Sequence, residues 1–318
     1  MRTTWIFGGV VVLAVACDAD GVHLGGEAPA LRAAHDNSMY LNGSYLNSMY
    51  LNGSYLNSLY LNSLDFNGDY VRATEFAVDE DVTPDVWLEG SQLFIKKKNG
   101  AVVSGAGVDK VKIKYDVREG GKVRKKTLRF NHAQPLAPGS DVWIYDIDLK
   151  DGGGGWKSLC VDGNGDATEA ILLNDLWNAG TGDRLDHEPT ALTYACRGSA
   201  LAKCVEWGYK PWALAEGASL HEFHQACTRM VRADYCGDGV PHTVNGTPIH
   251  VLDEIGVQDV DPSVSYVVEA EWGVDGATCL NSANTRLAGQ TIACSLPACG
   301  PSFASGGLLQ SGKVVGGP

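Results

Sequence analysis

Two histidines and a cysteine at three-residue spacing, His221, His224 and Cys227, form the first group in the chain whose types suggest chemistry. Imidazole and thiolate together would bind zinc, and a thiolate beside an imidazole would be a nucleophile. The run His221-Glu222-Phe223-His224-Gln225-Ala226-Cys227 lacks the second histidine four residues after the first that zinc proteases place around their glutamate. On a helix the three side chains fan across about 120°. His224 falls inside an apolar stripe, which favours a core histidine with one hydrogen-bonded nitrogen over a ligand. His221 and His224 are therefore weak metal candidates, and no metal is expected.

Just beyond lies Arg232-Ala233-Asp234-Tyr235-Cys236-Gly237-Asp238-Gly239. A buried ion pair between the Arg and Asp at a tight turn would fix a helix end. A catalytic alternative, hydrolase-like, would draw on His224, Asp234 and Asp238, with Cys236 as a free thiol. Two strings open like calcium loops, Asp162-Gly163-Asn164-Gly165-Asp166 and Asp65-Phe66-Asn67-Gly68-Asp69, but the first has Ala167 and Leu173 where Gly and Glu are required. Asp166 to Glu169 would instead cap a short helix. The chain has no Gly-x-Ser-x-Gly elbow, phosphate loop or dinucleotide fingerprint, so no cofactor is expected.

The elements that hold these groups read as α+β and β-rich, an antiparallel meander followed by a disulfide-stapled mixed region with a few short helices. Val111 to Arg118 alternates apolar and charged residues, Glu119 to Lys122 turns, and a second strand runs through Leu128 and Phe130. Lys98-Asn99-Gly100 marks a hairpin, and Val142 to Tyr145 a buried strand. Ser199 caps a helix carrying Leu201, Cys204 and Val205 that Gly208 stops. Ser219 and Glu222 form a capping box for a second helix with an apolar stripe of Leu220, Phe223, Cys227 and Val231, ending near Tyr235 to Gly237.

The 318 residues carry a net charge of −13, which excludes a general nucleic-acid binder. Yet twelve of the 25 basic residues lie between Lys96 and Arg129, against three acids there. Solvation of a sheet face accounts for such a cluster; contact with anionic headgroups or polysaccharide is the sharper reading.

Export is written at the N-terminus. Arg2 precedes an apolar run, Trp5 to Ala16, too short to span a bilayer, and Leu13-Ala14-Val15-Ala16-Cys17 resembles a lipobox with Ala14 in place of the usual branched residue. Of nine cysteines, Cys17 is the one for lipid; Cys160, Cys196, Cys204, Cys227, Cys236, Cys279, Cys294 and Cys299 form an even set for disulfides, in an unspecified pairing. The predicted order is a signal segment 1–17, a tether 18–38, a stalk of pentapeptide-like repeats such as Tyr45-Leu46-Asn47-Ser48-Met49 over 39–69, a β-rich region 84–156, a Cys-rich domain 157–300 and a flexible tail 301–318.

Lys203-Cys204-Val205-Glu206-Trp207-Gly208-Tyr209-Lys210-Pro211-Trp212 and the segment from His224 to Gly239 together resemble the ADYC-domain family, named for Ala233 to Cys236. The resemblance implies an exported, mostly myxobacterial type of protein, often a lipoprotein with short Leu-Asn-Gly pentads ahead of the domain. It implies no particular activity. The reading is of a non-enzymatic binding or structural module in the periplasm or at the cell surface. Its membrane contact is through lipidated Cys17, and its partner an unspecified protein or polysaccharide. A secreted hydrolase-like enzyme and a metal-binding module stay open as alternatives.

Overall fold

A computed structural model describes residues 39–41, 59–60, 64–66, 69–78, 81–82 and 86–315, apart from 120–121, 163–164, 176, 178–180, 185–190, 244–246, 259–264 and 288–290. The signal segment, Cys17, the tether and most pentads lie outside the described residues. Where the pentads are described they are strands: Met39–Leu41 pairs with Thr247–Asp253, and Leu59–Tyr60 with Ala191–Cys196.

The expected meander is the middle of a ten-stranded antiparallel sheet. Its order runs Leu59–Tyr60, Ala191–Cys196, Ala170–Leu173, Trp143–Asp151, Lys122–Pro135, Lys112–Glu119, Asp69–Val78, Leu64–Phe66. Trp156–Ser158 also pairs with Trp143–Asp151, and Asp81–Val82 with Asp69–Val78. The sheet thus takes strands from both sides of residue 156. Lys112 and Lys114 point to solvent while Ile113 is fully buried, as period-two alternation requires. Against the Ile113 face packs a three-stranded sheet, Val86–Glu89, Gln92–Lys96 and Val102–Ser104, burying Leu93, Ile95, Leu128, Phe130 and Tyr145 together. The Asn99-Gly100 hairpin joins its last two strands, with Lys97 N–H on the Ala101 carbonyl at 2.7 Å.

Ala170–Leu173 is buried on both faces. Ala170 and Leu172 point into the core just described, and Ile171 and Leu173 into a second core against two helices, α1 (Ala200–Glu206) and α2 (Leu220–Arg232). A strand covered on both sides reads as an unbroken apolar run, which is why Ala170-Ile171-Leu172-Leu173 shows no alternation. It replaces the helix expected after Asp166: its neighbours satisfy the backbone through a ladder, and Glu169 pairs with Arg197.

Ser199 caps α1 by accepting from the Ala202 N–H, and Ser219 caps α2 by accepting from the His221 N–H. Helix α2 stops at Arg232 because Ala233 turns left-handed (φ 53°) and closes onto the Met230 carbonyl. That is a few residues before the expected end. The helix packs on a five-stranded sheet ordered Met39–Leu41, Thr247–Asp253, Leu309–Val314, Tyr266–Gly273, Gly276–Leu280.

The expected tail over 301–318 is corrected here. Leu309–Val314 is an interior strand, with Leu309 and Ser311 fully buried. Its glycine misled the reading. The Tyr266 ring lies over Gly312, where a Cβ would stand 2.3 Å from Cδ2, and stacks on His250 at 4.4 Å. Gly312 is there to seat an aromatic ring on the sheet.

Candidate functional site

The residues singled out around α2 are scaffold. His224 is wholly buried; its Nε2 meets the Leu201 carbonyl at 3.1 Å and its ring leans on Trp177. His221 Nε2 meets Asp175 Oδ2 at 3.2 Å. Cys227, the third member of the supposed metal group, is bonded to Cys204 and ties α2 to α1. Among the described residues no cluster of three or more His, Cys, Asp or Glu is placed to hold a metal.

Burial pushes His224 down to about 4. Above the ordinary histidine pKa of about 6.5 neither the folded nor the unfolded chain is protonated there. Below it the unfolded chain takes a proton that the folded one excludes. Stability should therefore fall by about 3 kcal/mol as pH drops from 6.5 to about 4, where the loss levels off. Urea unfolding of the parent and His224→Gln across this window checks it; the variant's profile should be flatter.

Each residue of the ADYC string has a distinct structural task. Ala233 ends the helix. Asp234, wholly buried, meets Arg229 Nη1 at 2.5 Å and Arg232 Nη1 at 3.9 Å, and both its oxygens accept from the Gly239 N–H. Its main partner is thus Arg229, one helical turn earlier than the Arg232 expected. Burial pushes the carboxyl up, and the two guanidinium groups push it back. Tyr235 stacks on Trp272 at 5.2 Å and donates to Glu269 Oε1 at 2.6 Å. Cys236 is bonded to Cys294. At Gly237 a Cβ would stand 1.8 Å from the Asp275 carbonyl, so this backbone approach admits glycine alone.

The hydrolase-like trio is not brought together: His224 is spent on Leu201, Asp234 on Arg229, and Asp238 is exposed and caps the Val240 N–H. Cys236 has no thiol to offer. Of the calcium-like strings only the flanks are described. Asp166 N–H bonds Asp162 Oδ1 at 2.9 Å beneath a Val161–Ala167 bridge, and Phe66 stands opposite Asp69 in a strand pair.

Sequence reading missed one grouping outright and, in another, the alignment of the basic cluster with Trp156. The first is Glu269 with Arg286, both buried, at 2.8 Å. Arg286 reaches on to the Met230 carbonyl, while Ser311 donates to Glu269 Oε2. The Tyr266–Gly273 strand alternates two acids, Glu269 and Glu271, with apolar residues, and both acids are buried. The other grouping is exposed. The face of the large sheet that carries Ile144 and Ile171 under the helices continues across exposed Lys112, Lys114 and Lys125 and half-exposed Arg129. Arg129 pairs with Asp148, and its guanidinium sits 4.2 Å from the centre of the half-exposed Trp156 ring, with Lys150 Nζ at 6.0 Å. Strand alternation could have found this face, since Lys112 and Lys114 share a side with Lys125 and Arg129 once register is known.

All eight cysteines of the described body are paired, Cys160 with Cys196, Cys204 with Cys227, Cys236 with Cys294 and Cys279 with Cys299. Such staples fit an oxidising, extracellular environment. No helix among the described residues is long and apolar enough to cross a membrane. Fold and staples define the class: a disulfide-stabilised, β-rich extracellular-type module. A family model of the ADYC domain matches residues 99–286, more than half of the chain, which therefore belongs to the ADYC-domain family. Neither the curated proteins nor the solved structures contain a match.

Proposed function

We propose that this chain is a non-enzymatic binding module held outside the cytoplasm by lipid on Cys17, with the basic face of its large sheet turned to a partner. The observation that carries the reading is how the chemical groups are distributed. His224, Asp234 and Cys236 are consumed by core contacts, whereas Lys112, Lys125, Arg129 and Trp156 meet solvent. Cys17 also stands apart as the cysteine left over from four pairs. Acyl chains on one residue give stable membrane attachment when there are two or more of them.

An intact mass of the natively expressed protein tests the anchor. The expected species begins at Cys17, carries diacylglyceryl, and sediments with membranes, while Cys17→Ser leaves the protein soluble. An unlipidated native mass overturns the anchor. Turnover of any substrate that His224→Ala abolishes, with the fold intact, overturns the binding reading and restores the hydrolase alternative.

A further inference from the structure

Resting on that binding reading, we propose that the sheet face around Trp156 binds an anionic polysaccharide. The geometry supplies what such a ligand needs. Lys114, Thr127, Lys150 and Trp156 form one row running across four strands, through the pairs Lys114–Thr127, Thr127–Lys150 and Lys150–Trp156. Strands lie about 4.8 Å apart, so the row is roughly 14 Å long, a track for an extended chain of sugars. Lys112 and Arg129 stand opposite each other in the next row, and Lys125 flanks the track on its other side, across from Asp116, as Lys114 stands across from Glu75.

Trp156 sits at the end of the track as a fixed platform. Arg129 covers one side of the indole and is itself held by Asp148, so little freedom is lost when a sugar face packs on the ring. The loop before it imposes no wall: a Cβ at Gly152, Gly153 or Gly155 would meet nothing within 4 Å. Lys112, Lys114, Lys125, Arg129 and Lys150, five cations, outnumber the three acids opposite them, Glu75, Asp116 and Asp148, and carboxylate or sulfate groups along a glycan complement that excess. A bilayer fits less well. The large apolar side chains exposed among the described residues are Val102, Leu214, Val240, Val267 and Val315, and none stands on the strands of this face to insert between lipids.

The test is binding of the full mature chain to polygalacturonate, with neutral dextran and with phosphatidylglycerol vesicles as comparisons, at low and at physiological salt. Polygalacturonate should bind, more weakly as salt rises, and dextran should not. Trp156→Ala should weaken binding on the order of ten-fold, while Trp156→Phe keeps most of it. Lys112→Gln with Lys125→Gln, both exposed, should weaken binding and flatten its salt dependence. If Trp156→Ala lowers the melting midpoint, the lysine pair decides alone. Binding that survives these substitutions, equal binding to dextran, or binding to vesicles but not to the glycan overturns the proposal. None of those outcomes alters the mass of the lipidated protein, so the anchor stands or falls separately.

Discussion

Asp234→Asn is expected to cost about 3–5 kcal/mol of folding stability, the loss seen when one partner of a buried ion pair is removed. The carboxylate is fully enclosed and meets Arg229, which it shares with the exposed Asp183, with Arg232 a little further off. Arg229 retains Asp183, but Arg232 would keep the Gly239 carbonyl as its hydrogen-bond partner. The asparagine preserves volume, so the loss reports charge and not a cavity. Asp183→Asn is the internal comparison. Its side chain is 52% exposed though it touches the same arginine, and a loss below about 1 kcal/mol is expected. Equal losses in the two variants would show that Asp234 has no special place. Urea unfolding with the disulfides intact measures both.

Cys236→Ser with Cys294→Ser should cost about 4 kcal/mol, from the loop entropy that a 58-residue closure removes from the unfolded chain. The Cys279–Cys299 pair closes 20 residues, and its removal should cost less, about 3 kcal/mol. The two loops overlap, since Cys279 lies between Cys236 and Cys294, so losing both should not simply add. An unchanged urea midpoint in the Cys236–Cys294 double variant would mean that this bond leaves the unfolded ensemble unconstrained.

Local signals were legible in the sequence and distant ones were not. Ser199 and Ser219 announced their helices because a cap is a contact between neighbours, and Asn99-Gly100 announced its hairpin for the same reason. Burial of His224 followed from its place in an apolar stripe. The strand Ala170–Leu173 was lost because its partners, 144–145 and 193–196, lie well outside any local window. The burial of Glu269 has no local signal either, since its partners Arg286 and Ser311 come from elsewhere in the chain. The basic cluster was visible as composition, but its alignment with Trp156 depends on a register set across four strands. Cysteine parity gave the staples, while the pairing needed the fold.

The strand Leu309–Val314 is last in chain order within its sheet, yet it lies between Thr247–Asp253 and Tyr266–Gly273. A chain emerging N-terminus first must therefore present two ribbons that cannot join each other, with their facing edges empty, until those final residues arrive. Assembly of this sheet is therefore ordered along the chain: its two halves stay separate until Leu309–Val314 is made and fills the gap between them.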